Sequence, residues 1–287
     1  MNCKLSICKK TRWRVNTDGR RIILVAGSSG SFGLNSPRLA RRFPGYEIIN
    51  FSGSYLFGMV PTLYYVSNNI HPGDVVIFAP EYYRGMYANR LTTELSNWMY
   101  LESDYNMLDE LNQQVVGGSV LRTFTAYLDD RRGIYPDKRP PDGKAYARSA
   151  YNEYGDVVIP RAHRKEVEPY SPDPELINSA CVSAYTAAFE AIVEKGGVCL
   201  FSFPPISDGG ASLDSQRAPY DAFTERLKEA FAGAPVDVIS SAADYVFPAD
   251  VFYDNRYHMT LEGAELRTDQ LIADLEAWGL DRQGGGL

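Results

Sequence analysis

Histidine is rare in this sequence, and one of its histidines stands where acid–base chemistry would be expected. The 287 residues contain three histidines, His71, His163 and His258. Imidazole is the side chain whose ordinary pKa suits a general base near neutral pH. His258 has a carboxylate four residues upstream, Asp254, and a helix-capping residue, Thr260, shortly after it. This pattern predicts that His258 is a general base and that Asp254 orients its ring.

A glycine- and serine-rich loop near the N-terminus offers a nucleophile for this base. The loop, residues 27–33 (GSSGSFG), follows a short apolar run. A serine directly after a strand can act as a nucleophile that an imidazole activates. The glycines at 27, 30 and 33 could instead cradle a dinucleotide pyrophosphate, or the loop could be an ordinary turn. The ribose-binding acid that a dinucleotide site needs is missing after the second predicted strand, where the chain reads Asn50-Phe51.

The predicted elements bring these motifs to one edge of a sheet. Strands are predicted at 21–26, 46–51, 74–79, 198–203 and 236–239. Helices are predicted at 36–43, from Asp173-Pro174 to Gly196, at 219–231 and at 260–278. This alternation predicts an α/β fold with a doubly wound, five-stranded parallel sheet. In such a sheet the ligand site lies beyond the carboxyl ends of the strands, so loops 27–33, 52–58, 80–83, 204–207 and 254–258 should gather there.

A long segment interrupts the alternation. Residues 84–172 are rich in tyrosine, charge and proline, with helices predicted at 92–100 and 118–128. We interpret this segment as a large insertion after strand three of a single domain, residues 21–282. The basic segment 1–20 is predicted to lie outside the core, and the tail 283–287 to be flexible. A basic cluster around His163 (Arg161, Arg164 and Lys165) is expected to be a solvated face.

Composition limits the function classes. The net charge of −7 argues against a nucleic-acid partner. No apolar run approaches the roughly 18 residues of a membrane span. Residues 1–20 lack the apolar region of a complete signal peptide, which leaves a cytoplasmic protein, or an extracytoplasmic one with a missing upstream anchor. Four cysteines show neither metal spacing nor a disulfide framework, and Cys181 and Cys199 fall in predicted core segments. We expect no metal and no organic cofactor.

Two of these motifs resemble a known family. Gly27-Ser28-Ser29 after strand one and Asp254…His258 before the last helix resemble the first and last motif blocks of the SGNH (GDSL-type) hydrolases. Residues 70–82 and 148–156 resemble an uncharacterised bacterial branch of that superfamily. The resemblance covers about 21–83 and 174–280. It implies a flavodoxin-like fold and a serine esterase or acyltransferase, with Ser29 as nucleophile, His258 as base and Asp254 as its partner.

The resemblance also implies an oxyanion hole, with two departures from the family pattern. Backbone N–H groups of Ser29 and Gly53 are the expected donors, and Asn152 is a candidate third donor. The family usually has an asparagine after strand three, where this chain has Glu81, and a carboxylate donates no hydrogen bond unless it is protonated. The family also usually spaces its acid and histidine as D-x-x-H, where this chain has D-x-x-x-H. Three residues are expected to line the site: Ser28, Glu81 and Tyr82.

These observations favour an ester hydrolase or O-acyltransferase that works through an acyl-enzyme. The resemblance implies a small-molecule or glycan ester as substrate, with an acetylated carbohydrate preferred. Two alternatives remain open. One is a glycan-binding pseudoenzyme, which the two departures suggest, and the other is a dinucleotide-binding oxidoreductase that uses Gly27, Gly30 and Gly33. A lipid esterase is less favoured because the insertion lacks an obvious apolar lid.

Overall fold

A parallel sheet of five strands organises the structure, a computed structural model that describes residues 19–53, 58–83, 145, 147–163 and 165–280. The strands of this sheet are β1 (Arg21–Ala26), β2 (Glu47–Asn50), β3 (Val75–Ala79), β4 (Val198–Phe201) and β6 (Asp237–Val238). Two short strands, β5 (Ile206–Ser207) and β7 (Val246–Phe247), pair in parallel as a second sheet. The segments 1–18 and 281–287 and the helices predicted at 92–100 and 118–128 lie outside the described residues.

The strand order of the main sheet is β2-β1-β3-β4-β6. This order is compatible with the flavodoxin-like doubly wound fold, in which the order reverses beside the first strand. The α/β class and the five parallel strands predicted from the sequence are confirmed. The register pairs Ala26 with Ala79 at the carboxyl ends of β1 and β3, so the loops that follow these two strands start side by side.

Helices cover both faces of the sheet. The six α-helices of the described residues are α1 (Ser28–Phe32), α2 (Ser36–Arg42), α3 (Met59–Ser67), α4 (Ser179–Glu194), α5 (Leu213–Ala230) and α6 (Leu261–Trp278). Apolar residues of α3, α4 and α5 pack on one face with Ile23 and Val25 of β1, and those of α2 and α6 pack on the other with Ile22 and Leu24. This alternation along β1 follows from the two-residue period of a strand. In the part of the chain that the structure describes, no helix has both the length and the apolar character needed to cross a bilayer.

Phe78 is the centre of the core on the α4 side. Its ring meets those of Tyr185, Phe189 and Phe201 edge to face, at centroid distances of 4.7, 5.8 and 5.5 Å. Each such pair contributes about 1 kcal/mol beyond the area it buries. Cys199 lies in the same core, and burial raises the pKa of its thiol to about 12, as expected for a cysteine that acts as a small apolar residue.

Four helices differ from the sequence prediction, and one of them is α1, which lies in the predicted glycine- and serine-rich loop. Asp173 caps only a short 3₁₀ turn, through a bond from Glu175 N–H, and α4 begins later, where the Asn178 side chain accepts from the backbone N–H of Cys181. Helix α5 begins at Leu213, so Pro219 lies inside the helix that it was predicted to start. Proline there removes one backbone hydrogen bond, a cost that packing of the later turns offsets. Helix α3 was not predicted, because its apolar residues show no clear period.

A buried ion pair joins the two central strands at the edge opposite the carboxyl ends. The Arg21 guanidinium bonds both carboxylate oxygens of Asp74, and neither side chain is exposed. The Asp74 carboxylate also accepts the backbone N–H groups of Arg21 and His71. The guanidinium donates further to the carbonyl of Asn69. These additional hydrogen bonds, together with the ion pair itself, offset the cost of removing the two charges from water.

Candidate active site

The serine loop runs directly from β1 into α1. Gly27 is the N-cap, and Ser28 is the first helical residue. A Cβ at Gly27 would lie 2.7 Å from Glu81 Oε1, one at Gly30 would lie 2.1 Å from Ser52 Oγ, and one at Gly33 would lie 2.6 Å from the Ser29 carbonyl. A Cβ at these positions would therefore crowd the Glu81 carboxyl, the Ser52 side chain and the backbone of Ser29, respectively. The three glycines are explained without a bound pyrophosphate.

The histidine lies in a tight loop that precedes α6. An antiparallel bridge between Phe252 and Met259 closes this loop, and the N–H of Tyr253 donates to the His258 carbonyl at 2.7 Å. The Asn255 side-chain oxygen accepts the backbone N–H of His258 at 3.1 Å. The backbone of the loop is therefore held from both ends and from within.

The loop brings three side chains into one hydrogen-bonded chain. His258 Nδ1 lies 2.8 Å from Asp254 Oδ1, and His258 Nε2 lies 2.8 Å from Ser28 Oγ. The His258 side chain is 9% exposed and that of Asp254 is 41% exposed. The D-x-x-x-H spacing is compatible with this contact because the closed loop turns the carboxylate back toward the ring. The predicted pairing of Asp254 with His258 is thus present in the geometry.

The serine that meets His258 is Ser28, one residue before the predicted nucleophile. Successive residues of a helix are rotated by about 100°, so the side chains of Ser28 and Ser29 leave α1 in different directions. Phe32 lies four residues after Ser28, on the same side of α1, and its ring stacks on the His258 ring at a centroid distance of 4.0 Å. This face of α1 is therefore turned toward the imidazole. Ser29 instead donates its backbone N–H to Glu81 Oε1 at 2.6 Å.

The Asn255 amide and the Asp254 carboxylate compete for His258 Nδ1, and the outcome decides which tautomer forms. Its oxygen accepts two backbone N–H groups of the loop, so its Nδ2 faces His258 Nδ1 at 2.9 Å. Nδ1 can either donate to Asp254 or accept from Asn255. Only the first alternative leaves Nε2 without a hydrogen and able to accept the proton of Ser28. The charge-assisted bond to the Asp254 carboxylate favours that tautomer.

Arg161 supports the histidine from behind. Its guanidinium lies 5.2 Å from the centroid of the Phe32 ring, whose stacking partner is His258. It donates to the carbonyls of Phe32, Val157 and Met259. Arg161 is 7% exposed, and burial lowers the pKa of its guanidinium to about 10. The sequence prediction of a solvated basic face is wrong for this residue, because its carbonyl partners were not visible as a pattern.

Glu81 follows β3 and reaches the same serines. It is 1% exposed, and its Oε1 lies 3.3 Å from Ser28 Oγ as well as accepting from Ser29 N–H. Burial raises the pKa of the Glu81 carboxyl, although the Ser29 N–H and the nearby His258 act in the opposite direction. The expectation that Glu81 and Ser28 line the site agrees with these distances.

The expected oxyanion donors are engaged elsewhere. Ser29 N–H is bonded to Glu81, and Gly53 N–H donates to the Ala26 carbonyl at 3.3 Å. Asn152 shapes its own turn, since its Oδ1 accepts three backbone N–H groups and its Nδ2 donates to Asp156 at 3.1 Å. Each of the three groups thus has another partner in this structure, and its role as an oxyanion donor stays a prediction. The sequence does not show which acceptor each of these N–H groups binds, because the acceptors lie far away along the chain or in a turn without a distinctive pattern.

Tyr82, the remaining residue that was expected to line the site, packs among aromatic side chains. Tyr82 is 2% exposed, and it stacks on Tyr170 at 6.1 Å and packs edge to face on Phe223 at 5.1 Å. It is therefore part of the core beneath the site. Tyr257, the neighbour of His258, is 1% exposed and packs against Tyr83 at 5.2 Å.

The arrangement can transfer a proton from a hydroxyl to an imidazole. Ser28 Oγ, the His258 ring and the Asp254 carboxylate form a connected path, and Glu81 Oε1 lies 3.3 Å from Ser28 Oγ. A hydroxyl that loses its proton in this way becomes a nucleophile toward carbonyl carbon. The sequence matches no known family model, and neither a curated protein nor a solved structure gives a significant match.

Proposed function

We propose that this chain is a serine-dependent ester hydrolase or acyltransferase in which Ser28 is the nucleophile. The observation that carries the proposal is the connected contact from Asp254 through His258 to Ser28 Oγ, at 2.8 Å in each step. A helix-start serine with an ordinary structural role has no need of an oriented imidazole. The motif order also resembles the SGNH hydrolases, and we propose an SGNH-type site on a domain with an insertion after β3.

The reaction proceeds in two acyl-transfer steps. Ser28 Oγ attacks the ester carbonyl carbon while its proton passes to His258 Nε2, and Asp254 stabilises the imidazolium that forms. The tetrahedral intermediate collapses, the ester C–O bond breaks, and the leaving alcohol takes the proton from Nε2. Water or a second hydroxyl then gives its proton to His258 and attacks the acyl carbon; the bond from that carbon to Ser28 Oγ breaks, and His258 returns the proton to Oγ. We propose an acetylated carbohydrate as the acyl donor, on the strength of the family resemblance.

Fluorophosphonate labelling tests the nucleophile directly. We expect the folded protein to react with the probe and mass spectrometry to place the adduct on Ser28. Ser28→Ala should abolish labelling and lower p-nitrophenyl acetate hydrolysis by at least about 10³-fold, since the nucleophile is gone. Ser29→Ala is the matched control, one residue away, and should keep both.

Three outcomes would contradict the proposal. An adduct on Ser29, or no adduct in folded protein, would remove Ser28 as nucleophile. Unchanged hydrolysis in Ser28→Ala would also remove Ser28 as nucleophile, and no hydrolysis above background in folded wild type would favour a glycan-binding protein without catalysis. Tight binding of NAD or NADP, seen as a thermal shift, would favour the oxidoreductase alternative, although the three loop glycines are already explained by protein contacts.

A further inference from the structure

Glu81 is a buried acid, and among the described residues the nearby group that can carry a positive charge is His258. Among the described residues its carboxyl accepts Ser29 N–H at 2.6 Å and lies 3.3 Å from Ser28 Oγ. The titratable groups that face it are His258 and Tyr257. The Tyr257 hydroxyl is itself buried without a hydrogen-bond partner in the described part of the chain. A glutamate in such a place is either neutral or held charged by the imidazolium.

The geometry places this acid where charge would develop during the proposed reaction. Glu81 Oε1 lies 3.3 Å from Ser28 Oγ, the attacking oxygen. The same Oε1 accepts the backbone N–H of Ser29, the next residue of α1. Gly27 leaves room for the whole carboxyl, since a Cβ there would lie 2.7 Å from Oε1 and 3.0 Å from Oε2. The expected donors Gly53 and Asn152 are engaged elsewhere. The carboxyl therefore stands beside Ser28 where a donor is needed.

We propose that Glu81 works in its protonated form, as a hydrogen-bond donor to the oxyanion that forms when Ser28 attacks the ester. Oε1 keeps the Ser29 N–H, and Oε2 carries the proton and donates it as a hydrogen bond without transferring it. An ionised Glu81 would repel the oxyanion and would compete with His258 for the Ser28 hydroxyl hydrogen. This inference rests on the proposed function and assigns Glu81 a catalytic part in it.

Physical chemistry supports a neutral Glu81. Burial raises the pKa of its carboxyl above the ordinary value of 4.5. A buried carboxylic acid that stays protonated to donate to an oxyanion is known in ketosteroid isomerase, where a tyrosine is the second donor. A single oxyanion donor is worth about 10²–10³ in kcat. Losing the Glu81 proton should therefore be visible as a loss of rate at high pH.

The test compares pH profiles of kcat/KM for wild type, Glu81→Gln and Glu81→Ala with p-nitrophenyl acetate. Wild type should give a bell, since His258 must be neutral and Glu81 protonated, and the bell persists whichever group titrates first. Glu81→Gln keeps an amide donor at every pH, so it should stay within about tenfold of wild type at the optimum and lose the alkaline decline. Glu81→Ala should lose about 10²–10³ in kcat with little change in KM.

Two controls and one direct measurement complete the design. Glu194→Gln, at an exposed position near the end of α4, should leave the bell unchanged. Tyr257→Phe should keep the alkaline decline, because Tyr257 is not its source. The infrared difference spectrum between wild type and Glu81→Gln should show one protonated carboxyl band that disappears on titration, since the bands of the other buried carboxyls cancel.

The outcomes separate this inference from the function on which it rests. Normal probe labelling of Ser28 combined with an alkaline decline that persists in Glu81→Gln would overturn the role of Glu81 alone. Inactive Glu81→Gln would overturn it too, since an ionised carboxylate would then be required. A faster Glu81→Ala would show that the carboxylate blocks the site. Failure to label Ser28 in wild type would overturn both proposals.

Discussion

At the scale of single residues, the two ring nitrogens of His258 meet chemically different groups. Nε2 faces the Ser28 hydroxyl, whereas Nδ1 faces both the Asp254 carboxylate and the Asn255 amide nitrogen, at 2.8 and 2.9 Å. The carboxylate accepts a hydrogen and the amide donates one. Asp254 therefore decides which nitrogen carries the proton, and the base depends on that choice.

Replacing Asp254 by asparagine should trap the wrong tautomer. In Asp254→Asn the Asn255 Nδ2 group remains at Nδ1, so Nδ1 becomes an acceptor and Nε2 carries the hydrogen, pointing at Ser28. We expect kcat to fall by about 10³-fold with little change in KM, as for other acid-to-amide changes at a catalytic histidine. Steady-state kinetics measures both. Asp250→Asn, an exposed change four residues earlier, should have no effect, and a loss under tenfold in Asp254→Asn would contradict this account.

The sequence predicted these residues unequally well. His258 and Asp254 could be found because histidine is scarce and the acid stands four residues away. The predicted nucleophile was Ser29, whereas the serine in contact with His258 is Ser28, since the loop pattern does not show that α1 begins at Ser28 itself. The signal that distinguishes the two serines is Phe32, four residues after Ser28, but its stacking on His258 joins positions more than two hundred residues apart and has no local pattern.

At the scale of elements, the proposed site and a buried ion pair lie at opposite ends of the same two strands. The carboxyl ends of β1 and β3 lead to Ser28 and Glu81, while their opposite ends are joined by Arg21 and Asp74. The strands themselves were predictable from apolar runs bounded by turn signals. The ion pair was not, because it joins residues 53 positions apart.

Breaking the buried pair should lower stability and leave the site chemistry unchanged. Asp74→Asn leaves the Arg21 charge without compensation, which costs about 3–5 kcal/mol of unfolding free energy. Asp269→Asn is the matched control, because it removes an exposed partner of Arg38 and should change the free energy of unfolding far less. Urea denaturation measures both. A cost for Asp74→Asn no larger than that of Asp269→Asn would mean that the pair is solvated, and the folded Asp74→Asn protein should keep the wild-type kcat.

At the scale of the whole molecule, several buried carboxyls make stability depend on pH in an unusual direction. Burial raises the pKa values of Glu81, Asp156 and Asp274. A raised pKa means that the folded state holds its proton more tightly than the unfolded state. Each group then contributes stability that is fully present below its unfolded pKa and is lost as pH rises through its folded pKa.

Glu81 allows this coupling between site and stability to be isolated. Below its ordinary pKa of 4.5 both states hold the proton, so wild type and Glu81→Gln should differ by a constant amount. As pH rises above 4.5, the unfolded glutamate ionises first and wild type loses stability that the neutral variant keeps. In urea denaturation from pH 4 upward, the free energy of unfolding of Glu81→Gln should therefore rise relative to that of wild type. The difference between Glu194→Gln and wild type should show no such trend. A gap that stays flat or reverses would mean that Glu81 is ionised in the folded protein, with its charge held by His258 instead of by a proton of its own.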